Sequence, residues 1–206
     1  MILDVPVRGD PGHSCRMDDP KETMHRYLRT QRTSLLSKLD GLDEYAIRRP
    51  MTRTGTNLLG LVKHVASVEV GYFGDVFDRP SGIELPWFAE GAPDNADLWA
   101  TADESREQIV ELHERCAAHS DATIDALPLD AVGNVPWWGE RGRVTLHQML
   151  VHMSVETARH AGHADIVREL VDGAVGSRPD DPNIPDVDWS DYVAGLERAA
   201  REASDR

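Results

Sequence analysis

The stretch VTLHQMLVHMSVETARHAGHADIVRELVDG, residues 144–173, decides the fold. Alternating steps of three and four along it give Leu146, Met149, Met153, Glu156, His160, His163, Val167 and Leu170. A stripe at that spacing is the mark of a helix that packs against neighbours. Thr145 can cap its start and Gly173 can stop it, so the spacing predicts one helix from Arg143 or Thr145 to about Asp172. The stripe is apolar, then polar at Glu156, His160 and His163, then apolar again. Burying such groups costs about several kcal/mol unless each finds a partner. The three residues are therefore either a site or, with the helix rotated slightly, a solvated edge.

Working outward, Asp19-Pro20 is a cap followed by an N1 proline, and Met24, Leu28, Gln31, Leu35 and Leu39 follow at helical spacing. This predicts a first helix over 19–40. Thr56 or Asn57 can cap a second, in which Leu58, Leu61, Val65, Val68 and Tyr72 share a face and His64 lies among them. A Gly- and Pro-containing loop with Trp87 and Phe88 leads to a third helix over 97–126, whose inward candidates are Ile109, Leu112, Cys116 and Ile124, and which Pro128 ends. The link containing PWWGERGR reads as a plug at the end of the bundle ahead of a lid, and a short amphipathic helix spans about 190–203. With no convincing strand pattern, the chain reads as all-α, a four-helix bundle with a short C-terminal helix. The division is a disordered leader at 1–17, the bundle at 18–173 and a tail at 174–206. Met17, directly before the first helix signal, stands as an alternative translation start.

Spacing sorts the candidate ligands. Residues four apart on a helix are stacked neighbours, whereas eight apart are separated by about 12 Å of rise. Glu156 and His160 can share one ion, and His152 and His160 cannot. His64, beside Leu61 and Val68, faces inward at a depth a neighbouring helix can match. Two ligands from one helix and one from another leave open positions for water or substrate, as in a catalytic divalent-metal site. Imidazole with carboxylate favours zinc first, with nickel, iron or manganese as alternatives. The competing reading is a hydrogen-bonded core histidine and a weak Glu-His surface pair. His147 and His152 fall off the stripe, and His25, His113 and His119 read as solvated. Arg159 and Arg168 fall at its boundary, and Cys116 reads as a small core residue.

The bulk properties exclude other partners. The formal net charge of -14 offers no basic stripe for phosphates or an anionic membrane. No apolar run approaches the roughly 20 residues that span a bilayer, and no signal peptide is evident, so a soluble cytoplasmic protein is the expectation. Cys15 and Cys116 are too few for a disulfide framework or a cysteine-rich zinc site.

The segments TGTNLLGLVKHVASVE (54–69), PWWGERGRVTLHQMLVHM (136–153) and VETARHAGHADIVRELVDG (155–173) resemble the DinB/YfiT-like superfamily of four-helix bundles. The similarity is greatest to its actinobacterial branch, the mini-circle proteins, and runs from about Asp18 to Gly173. The resemblance implies a divalent-metal site at the bundle centre, usually of three histidines. The related mycothiol-dependent maleylpyruvate isomerases use a His, Glu, His set that maps onto His64, Glu156 and His160. This chain departs from the three-histidine form at Glu156, and it does not show the further C-terminal domain of the isomerases. The resemblance further implies a homodimer and a thiol-S-transferase activity with mycothiol or bacillithiol as cosubstrate.

The leading expectation is therefore a metal-dependent transferase joining a low-molecular-weight thiol to a small electrophile. Its ligands are His64, Glu156 and His160, with His163 as a proton shuttle or supporting group. A hydrolase on the same ligands and a non-catalytic bundle are the alternatives. Selectivity falls to Trp87, Phe88, Trp137 and Trp138.

Overall fold

A computed structural model describes residues 19–178, 184–185 and 187–205. The expected leader at 1–17, with Cys15 and Met17, lies outside the described residues, as does part of the tail.

Local chemistry sets the helices. Helix α1 (Pro20–Ser37) starts where the Asp19 carboxylate accepts from the Lys21 amide at 3.4 Å. A single turn, α2 (Glu44–Arg48), follows, capped by Asp43 onto the Ala46 amide at 2.7 Å. Helix α3 (Leu58–Phe73) starts at Asn57, whose side chain accepts from Gly60. Helix α4 (Arg106–Ala126) opens with a reciprocal capping box between Ser105 and Gln108. Helix α5 (Leu146–Asp172) runs from the Thr145 cap to Gly173 at φ 80°, and α6 (Ser190–Ser204) closes the chain. Each such cap contributes about 1 kcal/mol.

The all-α expectation holds. α3 packs against α4 on one side and α5 on the other, and α5 also lies along α1. Two boundaries differ from expectation. α1 ends at Ser37, and α4 starts nine residues later than 97 because the Ser105 box, rather than Asp97, opens it. Asp97 instead sits in a 3-10 turn, Ala96–Leu98. The link before α5 forms a two-stranded antiparallel hairpin, β1 (Val132–Asn134) and β2 (Arg143–Thr145), which the sequence did not signal. The intervening tryptophan turn (Pro136–Arg141) sits at its tip. The Leu146 and His147 amides donate to the Ala131 and Leu129 carbonyls, so the hairpin is tied to the start of α5 as an end plug.

The core holds two large apolar clusters and a smaller third, Ala66, Val70, Leu112 and Cys116, between α3 and α4. Leu28, Phe73, Ile124, Met149 and Met153 belong to the cluster at the hairpin end, and Leu35, Ile47, Leu59, Val62 and Val167 to the other. A polar layer separates them on α1. Arg32 donates to Glu69 at 2.8 Å and to Asp121 at 2.5 Å, and His25 pairs with Asp121 at 2.7 Å. His25 and His113, expected in solvent, are buried, because partners on other helices receive or surround them. Among the described residues no helix is long and apolar enough to cross a membrane.

Candidate metal centre

On α5 the inward face is Leu146, Met149, Leu150, Met153, Thr157, Ala161, Ala164 and Val167. Glu156 and His160 stand at the edge of that face, turned toward α3, where His64 projects between turns of apolar residues. One ligand atom from each of His64, Glu156 and His160 lies within 4.8 Å of the others. The Oε1 atom of Glu156 is 3.0 Å from His160 Nε2 and 3.7 Å from His64 Nε2. The two imidazoles meet edge to face at 4.8 Å between centroids. The side chains are 16%, 30% and 13% exposed for His64, Glu156 and His160, so the group is sheltered yet reachable.

His64 is held from behind. Its Nδ1 lies 2.6 Å from Asp97 Oδ2, which accepts the Nδ1 proton and leaves the Nε2 lone pair facing Glu156. The turn that presents Asp97 is strapped to α3. Asn57 Nδ2 donates to the Leu98 carbonyl, and the buried Lys63 ammonium donates to the carbonyls of Ala96 and Trp99. Lys63 also pairs with Glu104 at 2.7 Å and lies 4.0 Å over the Trp87 ring. At Gly60 a Cβ would collide with the Leu98 carbonyl, so only glycine lets the strap lie this close. Sequence reading missed Asp97, because 97–126 reads as one continuous helix.

The electrostatics favour an ionised carboxylate beside a neutral His160 imidazole, whose Nε2 proton a metal ion would displace. Burial raises the Glu156 carboxyl, but the hydrogen bond from His160 and the nearness of both imidazoles outweigh it and hold the group below the usual carboxylate range. Burial, and then the neighbouring His64, lower His160 despite Glu156. An ionised carboxylate and a neutral imidazole are the states that bind a metal ion. With His64 they form a two-imidazole, one-carboxylate donor set, which suits a tetrahedral divalent ion with a position left open. His160 lacks the backing that Asp97 gives His64, since its buried Nδ1 has no protein partner.

The other expected residues divide. His163, expected on the buried stripe, is exposed, as is Leu170. Its ring stands 5.3 Å from that of His160. A cleft of about 450 Å³ opens there, with His160 and His163 on one side and Thr54, Thr56, Asn95 and Trp99 among the others. His152 is half-buried between Tyr72 and Trp138, at 4.8 and 5.1 Å between ring centroids, and burial lowers its pKa. His147 is exposed, and Cys116 is a core residue as expected.

The family model described as MST: Mycothiol-S-transferase matches residues 23–173. The chain belongs to that family. This places it in the DinB/YfiT-like superfamily that its motifs resemble. No curated protein matches its sequence. The part matched to the mycothiol-S-transferase family runs from Thr23, in the first turn of α1, to the end of α5 and takes in all four residues of the His64, Asp97, Glu156 and His160 arrangement.

Proposed function

We propose that the chain is a metal-dependent thiol-S-transferase in which His64, Glu156 and His160 hold a divalent ion, zinc before nickel. It joins a mycothiol-type thiol to a small electrophile. The observation that carries this reading is the convergence of three ligand atoms to within 4.8 Å in a member of the mycothiol-S-transferase family. A divalent ion held there supplies Lewis acidity, which brings the pKa of a coordinating thiol toward neutrality.

The chain's own residues supply the rest. Asp97 keeps the proton on His64 Nδ1 and fixes the ring plane. Glu156 is the one anionic group among the three, so the set would offset half the charge of a dication and leave it attractive to anionic sulfur. His163, at the mouth of the cleft, takes the thiol proton and passes it to water. The sulfur electron pair forms the new C–S bond. The electrophile either releases a leaving group with its bonding pair or, in addition across an activated double bond, takes a proton from water on the neighbouring carbon. Cys116 offers no competing sulfur, since it lies in the core with its thiol pushed up to about 12 by burial. The exposed apolar residues Val151, Val155, Ile166 and Leu170 on α5 support a homodimer packed through that helix, which sedimentation of the full chain tests.

The decisive experiment is elemental analysis of protein purified without a His-tag or chelator, beside the His64→Ala and Glu156→Ala variants. The expected result is about one zinc or nickel per chain, lost in both variants, with turnover that requires added thiol. Folded protein that stays metal-free after exposure to zinc overturns the reading. Turnover with metal but no thiol replaces transfer with hydrolysis.

A further inference from the structure

Gly71 sits in the last turn of α3, two residues before Phe73 ends it. Packing does not require it: a Cβ built there meets nothing within 4 Å, and its φ is not in the left-handed region. The space it leaves adjoins a cavity of about 400 Å³ that Gly71 lines together with Ser67, Val68, Tyr72, Leu85, Phe88 and Trp137, and with Asp75.

The cavity lies further along α3 from the metal-ligand group. Val68 and Gly71 follow His64 by four and seven residues, so they continue its face of the helix about 6 and 10 Å further along the axis. Tyr72 is shared, since its ring also packs against His152, one turn before Glu156 on α5. The walls are apolar in effect. Ser67 Oγ is used up, donating to the Lys63 carbonyl and accepting from Trp87 Nε1. The Tyr72 hydroxyl accepts from Trp137 Nε1 at 3.4 Å. The lining holds no Lys, Arg or His, and its one charge is the Asp75 carboxylate.

We infer that this cavity is the acceptor site of the transferase and takes an uncharged aromatic electrophile, with Gly71 setting its depth. The inference rests on the thiol-transfer reading above. The cleft at His160 and His163, which presents more polar groups than this cavity, is left for the hydrophilic thiol. The aromatic walls suit a flat ring, which stacks offset or edge to face on Tyr72, Phe88 and Trp137. Anionic acids find no cation and meet Asp75. In transfer to a chloronitroarene, the thiol loses its proton, sulfur bonds to the ring carbon, and chloride leaves with the electron pair of the C–Cl bond.

The test compares wild type with Gly71→Ala and Gly71→Leu. The added Cβ meets open space and the leucine side chain has the cavity to enter, so melting temperature and zinc affinity are expected to stay at or near those of wild type. Binding of the unreactive probe 1-naphthol, read by tryptophan fluorescence, should weaken slightly in Gly71→Ala and at least tenfold in Gly71→Leu. With mycothiol as thiol, the kcat/KM ratio for 1-chloro-2,4-dinitrobenzene over acrylamide should fall at least tenfold in Gly71→Leu. Naphthol binding and selectivity both indifferent to residue 71 in folded, zinc-binding protein overturn the inference and leave thiol transfer standing. Naphthol binding that depends on residue 71, without thiol-dependent turnover of any acceptor, supports the cavity as an aromatic site and overturns its role in transfer.

Discussion

Asp97 Oδ2 accepts the Nδ1 proton of His64 at 2.6 Å, from a turn that no helix of the bundle contains. The carboxylate fixes the tautomer and aim of the one ligand supplied by α3. Removing such a partner lowers metal affinity by roughly 10–100-fold. Asp97→Ala should therefore weaken zinc binding by that factor in a competition titration against a chromophoric chelator. Its far-UV circular dichroism should stay as in wild type. Unchanged affinity would mean that Asp97 is only a surface acid beside His64.

Arg32 and Glu69 form a buried pair on the opposite side of α3 from the ligands, with side chains 5% and 2% exposed. Arg32 also serves Asp121, whose carboxyl is raised by burial but brought below its ordinary value by hydrogen bonds and charge from His25 and Arg32. Arg32→Met strands the Glu69 carboxylate, which already has one oxygen without a protein partner. The expected loss is about 3–5 kcal/mol in urea unfolding. Adding Glu69→Leu should restore most of it, because the stranded charge, rather than the missing attraction, is the cost. A double variant as unstable as the single would show that the Arg32 packing dominates.

His113 gives the acid limb of stability a source. Its pKa falls to about 4 from 6.5, first through burial and then through the Arg32 charge. In the unfolded chain it takes up a proton below about 6.5, and in the fold only below about 4. Its contribution is complete above pH 6.5, shrinks as pH falls toward 4, and changes no further below that. The loss amounts to about 3 kcal/mol. Unfolding free energies of His113→Leu should show a flatter slope between pH 6.5 and 4 than wild type. Equal slopes would assign the acid loss to carboxylates such as Asp121.

The thiol of Cys116 is pushed up to about 12 by burial, with the Glu69 charge acting in the same direction. Iodoacetamide should leave it unmodified in native protein and alkylate it in urea, as read by peptide mass spectrometry. Cys116→Ala should leave the dependence of turnover on added thiol unchanged. A loss of transfer in that variant would give the protein its own sulfur nucleophile.

Much of the candidate site was legible because its spacing lies within single helices. Glu156 and His160 share one face of α5 by virtue of being four apart, and Leu61 and Val68 fix the depth of His64. The misreadings have separate causes. Steps averaging 3.5 residues drift from a straight helix by about 20° per heptad, roughly 70° between Leu146 and Leu170. By the far end one edge of the seam has left the core, so His163 and Leu170 stand in solvent while Val167 stays buried. Asp97 was hidden because its role depends on Gly60 and Lys63 strapping a distant turn. His25 and His113 were misjudged because their surroundings come from other helices. Three-residue strands such as Val132–Asn134 are too short to show alternation against their background.

The polar layer of Arg32, Glu69, Asp121 and His25 has a consequence for specificity rather than strength. Two apolar half-cores could tolerate α1 sliding along its neighbours, since one leucine fills much the same space as another. A slide of one turn moves Arg32 about 5.4 Å from both carboxylates and sets Leu28 or Leu35 against buried charge. Misregistered packings are then penalised by stranded ions while the native one is not, so the layer acts as a locating pin for α1. That alignment keeps α1 seated along α5, the helix that carries Glu156 and His160.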